Sequence, residues 1–149
     1  LRKMYQENAL ARPGGIELDG VPIDLSKIDM PTYVLAAHED HIAPWQSCFK
    51  ATGLYSGKIR FVLGQSGHIA GIVNPPDVEK YGFWTGELKT GEGAEDWLAG
   101  AARQEGSWWR DWQAWQSRRA GKKVAAREPG AGTLKVIEDA PGSYVKVKT

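Results

Sequence analysis

The sequence predicts an α/β fold in which parallel strands carry flanking helices. Two short, largely apolar runs, residues 32–37 and 59–63, are separated by a stretch that Pro44 opens as a helix. Runs of this kind suit strands buried on both faces of a parallel sheet, and the order strand, helix, strand is the βαβ unit. Each run ends in a polar or glycine-rich loop, which is where open α/β sheets hold their active sites.

Before the first of these strands the sequence predicts a helix and a hairpin. Residues 1–11 place four side chains near one helical face, and residues 11–15, ARPGG, end the helix. Residues 16–25 alternate apolar and polar side chains around Asp19-Gly20, which predicts a small β-hairpin.

The remaining elements follow from the same rules. A helix is expected over residues 45–52 and a third strand over residues 81–85. Residues 94–120 have a helical pattern in two pieces, broken near Gly106. Residues 120–132 are expected to form a linker, and valines and lysines alternate in residues 144–148 as in an edge strand.

Composition excludes several classes of protein. Hydrophobic residues make up 42% and charged residues 25%, as in a globular protein, and the formal charge is +1. A balance this close gives no reason to expect a nucleic acid or an anionic membrane as partner. No run approaches the roughly 20 apolar residues of a transmembrane helix. The one cysteine excludes an intrachain disulfide, which fits a reducing compartment.

An acid and a histidine follow the two predicted parallel strands. Asp40 lies in residues 39–44, EDHIAP, and His68 lies 28 residues later in residues 64–71, GQSGHIAG. Because the carboxyl ends of parallel strands meet at one edge of a sheet, we expect the two side chains to lie side by side. The carboxylate would fix one imidazole tautomer, so that the ring can take a proton from a nucleophile. Acid before histidine is also the chain order of α/β-hydrolases.

Each residue also has a simpler interpretation. Asp40 would cap the helix that follows it, and His68 would be an ordinary loop histidine. That interpretation is the better one for either residue alone. The two together, each at the end of a strand, favour a catalytic pair.

A series of motifs extends over nearly the whole chain: residues 39–45 (EDHIAPW), 66–71 (SGHIAG), 73–76 (VNPP), 81–86 (YGFWTG), 95–98 (EDWL), 106–109 (GSWW), 112–115 (WQAW) and 138–145 (EDAPGSYV). In these motifs, and in their order, the chain resembles class I polyhydroxyalkanoate synthases, in the C-terminal part of their catalytic region.

The resemblance implies the C-terminal fragment of one α/β-hydrolase-type catalytic domain, with its core at residues 30–76 and an aromatic-rich extension at residues 77–149. It implies an acyltransferase that polymerises (R)-3-hydroxyacyl-coenzyme A into polyester and releases coenzyme A. Asp40 matches the catalytic acid of the family and His68 its catalytic histidine. The family's enzymes work as homodimers on cytoplasmic polyester granules. Coenzyme A enters as part of the substrate, no cofactor is expected, and no residue is assigned to binding it.

The nucleophile of that family is a cysteine in a glycine-flanked elbow. This sequence contains neither G-x-C-x-G nor G-x-S-x-G, so the nucleophile is expected upstream of Leu1. A chain that starts at LRKM, without an initiator methionine, also suggests a fragment, and by itself it is expected to be inactive. Cys48 falls inside the helix after the acid, and we interpret it as a small buried hydrophobe.

Two groups of residues beside these motifs have structural interpretations. His38 and His41 flank the acid at a spacing that matches no standard metal site, so no metal is expected there. Trp108, Trp112 and Trp115 recur on one helical face, which favours packing over stacking on a ligand or polymer.

A basic run follows the tryptophans. Attraction to the phosphates of coenzyme A is one interpretation, and a solvated helix end is the favoured one. The run consists of Arg118, Arg119, Lys122 and Lys123.

Two other functions remain open at this level. An esterase or depolymerase of the same fold would carry serine instead of cysteine in the upstream elbow. An aromatic-rich module that binds polymer or protein without catalysis would leave Asp40 and His68 beyond hydrogen-bond reach of each other.

Overall fold

The first strands of the chain form the hairpin that the sequence predicts. In the computed structural model, which describes residues 1–148, strands β1 (Glu17–Leu18) and β2 (Val21–Pro22) pair antiparallel. Asp19 and Gly20 between them have φ angles of 49° and 75°. Both angles lie in the left-handed region that a two-residue type I′ turn requires, and Asp-Gly is a favoured pair there.

The helix predicted over residues 1–11 is wrong as a continuous element. One π-helical turn covers Arg2–Gln6 and one 3₁₀ turn covers Ala9–Ala11. Asn8 between them has a φ of 45°, in the left-handed region, so the backbone cannot continue one helix through it.

The predicted strands and helices of the central region are present. The later strands are β3 (Thr32–Ala37), β4 (Ile59–Gly64), β5 (Gly82–Thr85) and β6 (Ala102–Glu105). The helices are α1 (Trp45–Phe49), α2 (Ala70–Val73), α3 (Ala94–Gly100) and α4 (Trp109–Ser117). Further 3₁₀ turns cover Leu25–Lys27 and Lys50–Gly53, the second of which continues α1 over the length that the sequence predicts.

The main sheet is mixed, with the order β3-β4-β5-β6. Strands β3 and β4 are parallel, as predicted, and pair from Thr32↔Ile59 to Ala37↔Gly64. The expectation of a parallel sheet is wrong for the other half, because β5 and β6 are each antiparallel to their neighbours. Gln65 N–H donates to Gly82 O at 2.8 Å, so β5 begins where β4 ends and must run back along it.

Strand β6, like the single-turn helix α2, is not among the elements that sequence patterns predicted. Residues 94–120 were expected to be helical, but the chain leaves α3, adds β6 to the sheet and re-enters a helix after Gly106, whose φ is 80°. All four side chains of β6 are exposed, and alanine, arginine, glutamine and glutamate favour helices. Pairing with β5, and not the composition of the segment, therefore decides its conformation.

The core lies on both faces of β4. Phe61 and Leu63 belong to a buried cluster on one face, together with Trp97 of α3. Val62 belongs to a second cluster, which includes Trp108. This alternation confirms that β4 is buried on both sides. Because the two clusters include Trp97 and Trp108, the buried core extends beyond residue 76.

The chain divides into two compact units, the first covering Leu1–Ser117 and the second starting at Arg118. In the second unit residues 120–132 have no regular helix or strand, as expected of a linker. The edge strand predicted for residues 144–148 is wrong, since a 3₁₀ turn occupies Ser143–Lys146. Alternating valine and lysine suit an edge, but none of the strands in residues 1–148 pairs with this segment.

Candidate active site

The loops after β3 and β4 are tied to each other by backbone hydrogen bonds. His38 N–H donates to Gly64 O at 2.8 Å, and Glu39 N–H donates to Ser66 O at 3.0 Å. The parallel pairing of the two strands brings their carboxyl ends to one edge, and these bonds continue the pairing into the loops. Asp40 and His68 follow directly on this linked backbone.

The structure brings the two predicted residues together. Asp40 Oδ2 lies 2.7 Å from His68 Nδ1. The other oxygen, Oδ1, accepts hydrogen bonds from the backbone N–H groups of Ile42 and Ala43, each at 2.9 Å. The Asp40 side chain is 7% exposed and that of His68 is 46% exposed, so a sheltered carboxylate holds an accessible imidazole. A non-catalytic module was expected to keep these two side chains apart, and they are in contact.

The electrostatics of the pair fix the tautomer of the histidine. The Ala43 N–H, then His68 and the Ile42 N–H, lower the pKa of Asp40 from 3.8 to about 2, although burial opposes them. An ionised carboxylate only accepts hydrogen bonds, so His68 Nδ1 must carry the proton that it shares with Oδ2. In the neutral ring Nε2 is then the basic nitrogen, and the structure describes no partner for it among residues 1–148. The geometry can support general-base catalysis at Nε2.

We expect the Asp40 carboxyl group to titrate with a midpoint near pH 2, because its pKa is about 2 in the folded chain. A lowered pKa means that the interactions of the ionised carboxylate, first with the Ala43 N–H and then with His68 and the Ile42 N–H, stabilise the fold at pH values above 3.8. This stabilisation is lost as the pH falls through about 2. The ¹³C shift of the carboxyl carbon, followed by NMR from pH 5 downward, measures the midpoint. A midpoint at 3.8 or above would contradict the hydrogen bonding described here.

The backbone around His68 leaves little room for larger side chains at neighbouring positions. Ser66, in the loop before it, has a φ of 77°. A Cβ atom on Gly71, in the helix after it, would lie 2.5 Å from Gln65 O. Only glycine fits at that position without displacing the loop. His68 therefore lies within a tightly folded turn.

Cys48 lies near the pair without the properties of a nucleophile. It packs, partly buried, against the cluster that contains Phe61, and its Sγ atom lies 3.9 Å from Ala43 O. Burial first, and then the charge of Asp40, raise the pKa of the Cys48 thiol. A raised pKa leaves less of the thiolate that nucleophilic attack requires.

The histidines that flank Glu39 and Asp40 have separate surroundings. The ring of His38 stacks on Trp45, with ring centroids 6.2 Å apart, and lies 5.4 Å from the ring of Trp84. His41 is exposed. Within residues 1–148 no group of three or more histidine, cysteine, aspartate or glutamate side chains is placed to hold a metal ion.

The tryptophans of the aromatic stripe pack against the body of the first unit. Trp108 is buried, and Trp112 packs against the same cluster. The ring of Trp115 lies 5.4 Å from the ring of Tyr33 on β3. Trp109 lies beside the stripe, and its indole N–H donates to Val73 O at 3.0 Å, a contact that the helical spacing did not predict.

Two further properties bear on partners. The basic run after α4 is exposed and lies in the second unit; it consists of Arg118, Arg119, Lys122 and Lys123. Among residues 1–148, the helices are all too short or too polar to cross a membrane.

Comparison with known proteins gives a consistent set of relatives, although no family model matches the chain. The chain is 48% identical to the poly(3-hydroxyalkanoate) polymerase subunit PhaC of Cupriavidus necator, over 99% of this chain and 25% of that protein. It is 51% identical to the subunit of the same name from Rhizobium etli, over 100% of this chain and 23% of that protein. It is 46% identical to the poly(3-hydroxyalkanoate) polymerase of Methylorubrum extorquens, over 99% of this chain and 24% of that protein. The chain spans about a quarter of the length of these relatives and matches their C-terminal part.

Proposed function

The chain belongs to the poly(3-hydroxyalkanoate) polymerase family over the C-terminal part that it matches, and from this premise we propose that it supplies the acid and the histidine of the polymerase active site. The reaction is the transfer of (R)-3-hydroxyacyl groups from coenzyme A onto a growing polyester. The observation that carries this proposal is the 2.7 Å contact between Asp40 and His68 at the carboxyl ends of two parallel strands.

In the proposed chemistry His68 Nε2 acts as the general base in each of two steps. It first takes the proton of a cysteine thiol, and the thiolate attacks the carbonyl carbon of the acyl thioester. The carbon–sulfur bond to coenzyme A breaks, and coenzyme A leaves with the proton from His68. In the second step Nε2 takes the proton of a 3-hydroxyl group, whose oxygen attacks an enzyme-bound thioester. An ester forms, and the cysteine sulfur leaves and regains the proton.

The fold proposed for the intact enzyme is of the α/β-hydrolase type, with class I polymerase chemistry. In that fold the nucleophile precedes the acid and the histidine along the chain, so the cysteine belongs upstream of the acid loop. The order of Asp40 and His68 supports this assignment, as do the parallel strands that carry them. A serine at the upstream elbow would instead favour an esterase.

The resemblance to the family extends the proposal to partners. The intact enzyme is proposed to act as a homodimer in the cytoplasm, at the surface of polyester granules. Its substrates are the (R)-3-hydroxyacyl-coenzyme A thioester and the end of the growing chain. It needs no cofactor and no metal for this reaction, because the thioester is already activated.

The chain alone should release no coenzyme A from 3-hydroxybutyryl-coenzyme A, because its one thiol is partly buried and has a raised pKa. A thiol-trapping dye added to purified residues 1–149 measures the release. The matched variant is Cys48→Ser in the intact enzyme. It should keep turnover within about threefold of wild type, because the substitution changes a side chain of helix α1 and not a reacting atom. Steady thiol release by the chain, or a hundredfold loss in a folded Cys48→Ser enzyme, would make Cys48 the nucleophile.

A further inference from the structure

The segment after His68 cannot hold its own shape. Helix α2 consists of a single turn, closed by bonds such as Gly71 N–H to Gly67 O at 3.0 Å and Val73 N–H to Ile69 O at 2.9 Å. One turn is too short to be stable by itself. The last carbonyl groups of any helix also lack partners within it. The position of His68, at the start of this turn, therefore depends on what binds its end.

Four consecutive side chains donate hydrogen bonds to the backbone carbonyls at that end. We call them the carbonyl clamp: Ser107 Oγ donates to Asn74 O at 2.6 Å, Trp108 Nε1 to Ile72 O at 2.9 Å, Trp109 Nε1 to Val73 O at 3.0 Å, and Arg110 Nη2 to Pro76 O at 3.1 Å. Ser107 is 2% exposed and Trp108 is 7% exposed, so the inner bonds of the clamp are shielded from water. Buried hydrogen bonds of this kind have no competing solvent partner, and they are costly to leave unmade.

The clamp is itself fixed to the strands that carry the catalytic pair. Asp111, the next residue of α4, accepts hydrogen bonds from Tyr33 Oη of β3 at 2.9 Å and from Arg60 Nε of β4 at 2.7 Å. A second bond from the Arg60 guanidinium to Asp111 makes the pair bidentate. A bidentate pair fixes orientation as well as distance. Helix α4 therefore connects β3 and β4 to the turn that follows His68.

We propose that the carbonyl clamp is a positioning device that sets the imidazole of His68 relative to Asp40. Strand β3 leads into Asp40 directly, whereas His68 is held from both sides: by the loop after β4 and by the clamp. This inference rests on the proposed function, since it assigns the clamp to the polymerase reaction. The C-terminal tryptophans thus serve catalysis without touching a substrate.

The test removes one hydrogen-bond donor and keeps a smaller aromatic side chain in its place. Trp109 is 38% exposed, so Trp109→Phe should fold while losing the N–H that binds Val73 O. In the intact enzyme we expect kcat with 3-hydroxybutyryl-coenzyme A to fall about tenfold at unchanged KM, because small displacements of a catalytic group are costly. Trp112→Phe makes the same ring change on the same helix without removing a clamp donor, and should keep kcat within about twofold.

A second readout is independent of activity. In enzyme labelled with ¹⁵N-histidine, the Nδ1 proton shared by His68 and Asp40 should give a resolved NMR signal, which Trp109→Phe should weaken or shift and Trp112→Phe should leave unchanged. Wild-type kcat and an unchanged signal in Trp109→Phe would overturn the proposal. Equal losses of kcat in both variants would also overturn it, since packing of α4 would then be the cause. A wild-type enzyme that forms no polymer would refute the proposed function, while the NMR comparison would still test the clamp.

Discussion

His68→Ala in the intact enzyme should remove nearly all polymerisation while leaving the fold intact. The imidazole is 46% exposed, so its loss leaves no large cavity, and Asp40 keeps its two backbone hydrogen bonds. In the serine-protease template the loss of a partner's function costs on the order of 10⁴ in rate. A 3-hydroxyl group has a pKa far above neutrality and needs a base to attack, so elongation should suffer a loss of this order.

The first step should be less sensitive than the second. A cysteine thiol is partly ionised near neutral pH and is intrinsically nucleophilic, so slow acylation of the enzyme should survive in His68→Ala. Single-turnover labelling with radioactive acyl-coenzyme A measures acylation, and polymer yield at steady state measures elongation. His41→Ala is a suitable control, because it removes a neighbouring exposed imidazole whose side chain forms no described hydrogen bond with Asp40 or His68. Polymer formation by His68→Ala at a tenth of the normal rate or better would end the assignment of the base.

The contact between Asp40 and His68 could be predicted because the placement of both residues follows from the ends of β3 and β4. Residues 32–37 and 59–63 are largely apolar runs of strand length; β3 covers the first run as predicted, and β4 extends one residue beyond the second. Once two parallel strands are known, the residues after them must share an edge of the sheet. The proximity of Asp40 and His68 could therefore be predicted, since the short loops after the two strands limit the distance between these residues.

What the sequence did not predict depends on partners distant in the chain. Strand β6 has a helical composition, and its conformation follows from pairing with β5. The tail at residues 144–148 has a strand pattern, but none of the strands in residues 1–148 pairs with it. The carbonyl clamp joins residues 107–110 to residues 72–76, and hydrogen bonds from side chains to backbone carbonyls leave no periodic pattern. The sequence predicts a break near Gly106 but does not indicate what the tryptophans after it bind.

The resemblance to the polymerase family leaves open whether Asp40 orients His68 or itself assists removal of the proton from the 3-hydroxyl group. The structure favours orientation. The carboxylate accepts three hydrogen bonds, is 7% exposed and has a pKa of about 2, which makes it a weak base. A base that works near neutral pH needs a pKa much closer to neutrality. His68 Nε2 is the better candidate for both proton transfers.

Asp40→Asn should therefore reduce acylation and elongation together. The amide oxygen can keep the bonds from the Ile42 and Ala43 N–H groups, which leaves the amide NH₂ facing His68 Nδ1. Nδ1 must then accept a hydrogen bond, the ring proton moves to Nε2, and the basic nitrogen faces the wrong side. In the serine-protease template this substitution costs on the order of 10⁴ in kcat. We expect a loss of that order in elongation and a smaller but clear loss in acylation, because a thiol depends less on the base.

The same two measurements separate the roles of the acid. If Asp40 acted directly on the hydroxyl group, Asp40→Asn would acylate at the wild-type rate and fail only in elongation. If it orients His68, both rates fall, and in enzyme labelled with ¹⁵N-histidine the NMR proton signal should move from Nδ1 to Nε2. Asp77→Asn removes one carboxylate charge at an exposed position and should keep both rates. Normal acylation in Asp40→Asn, together with a proton still on Nδ1, would contradict the orienting role, because the tautomer would then not depend on the carboxylate.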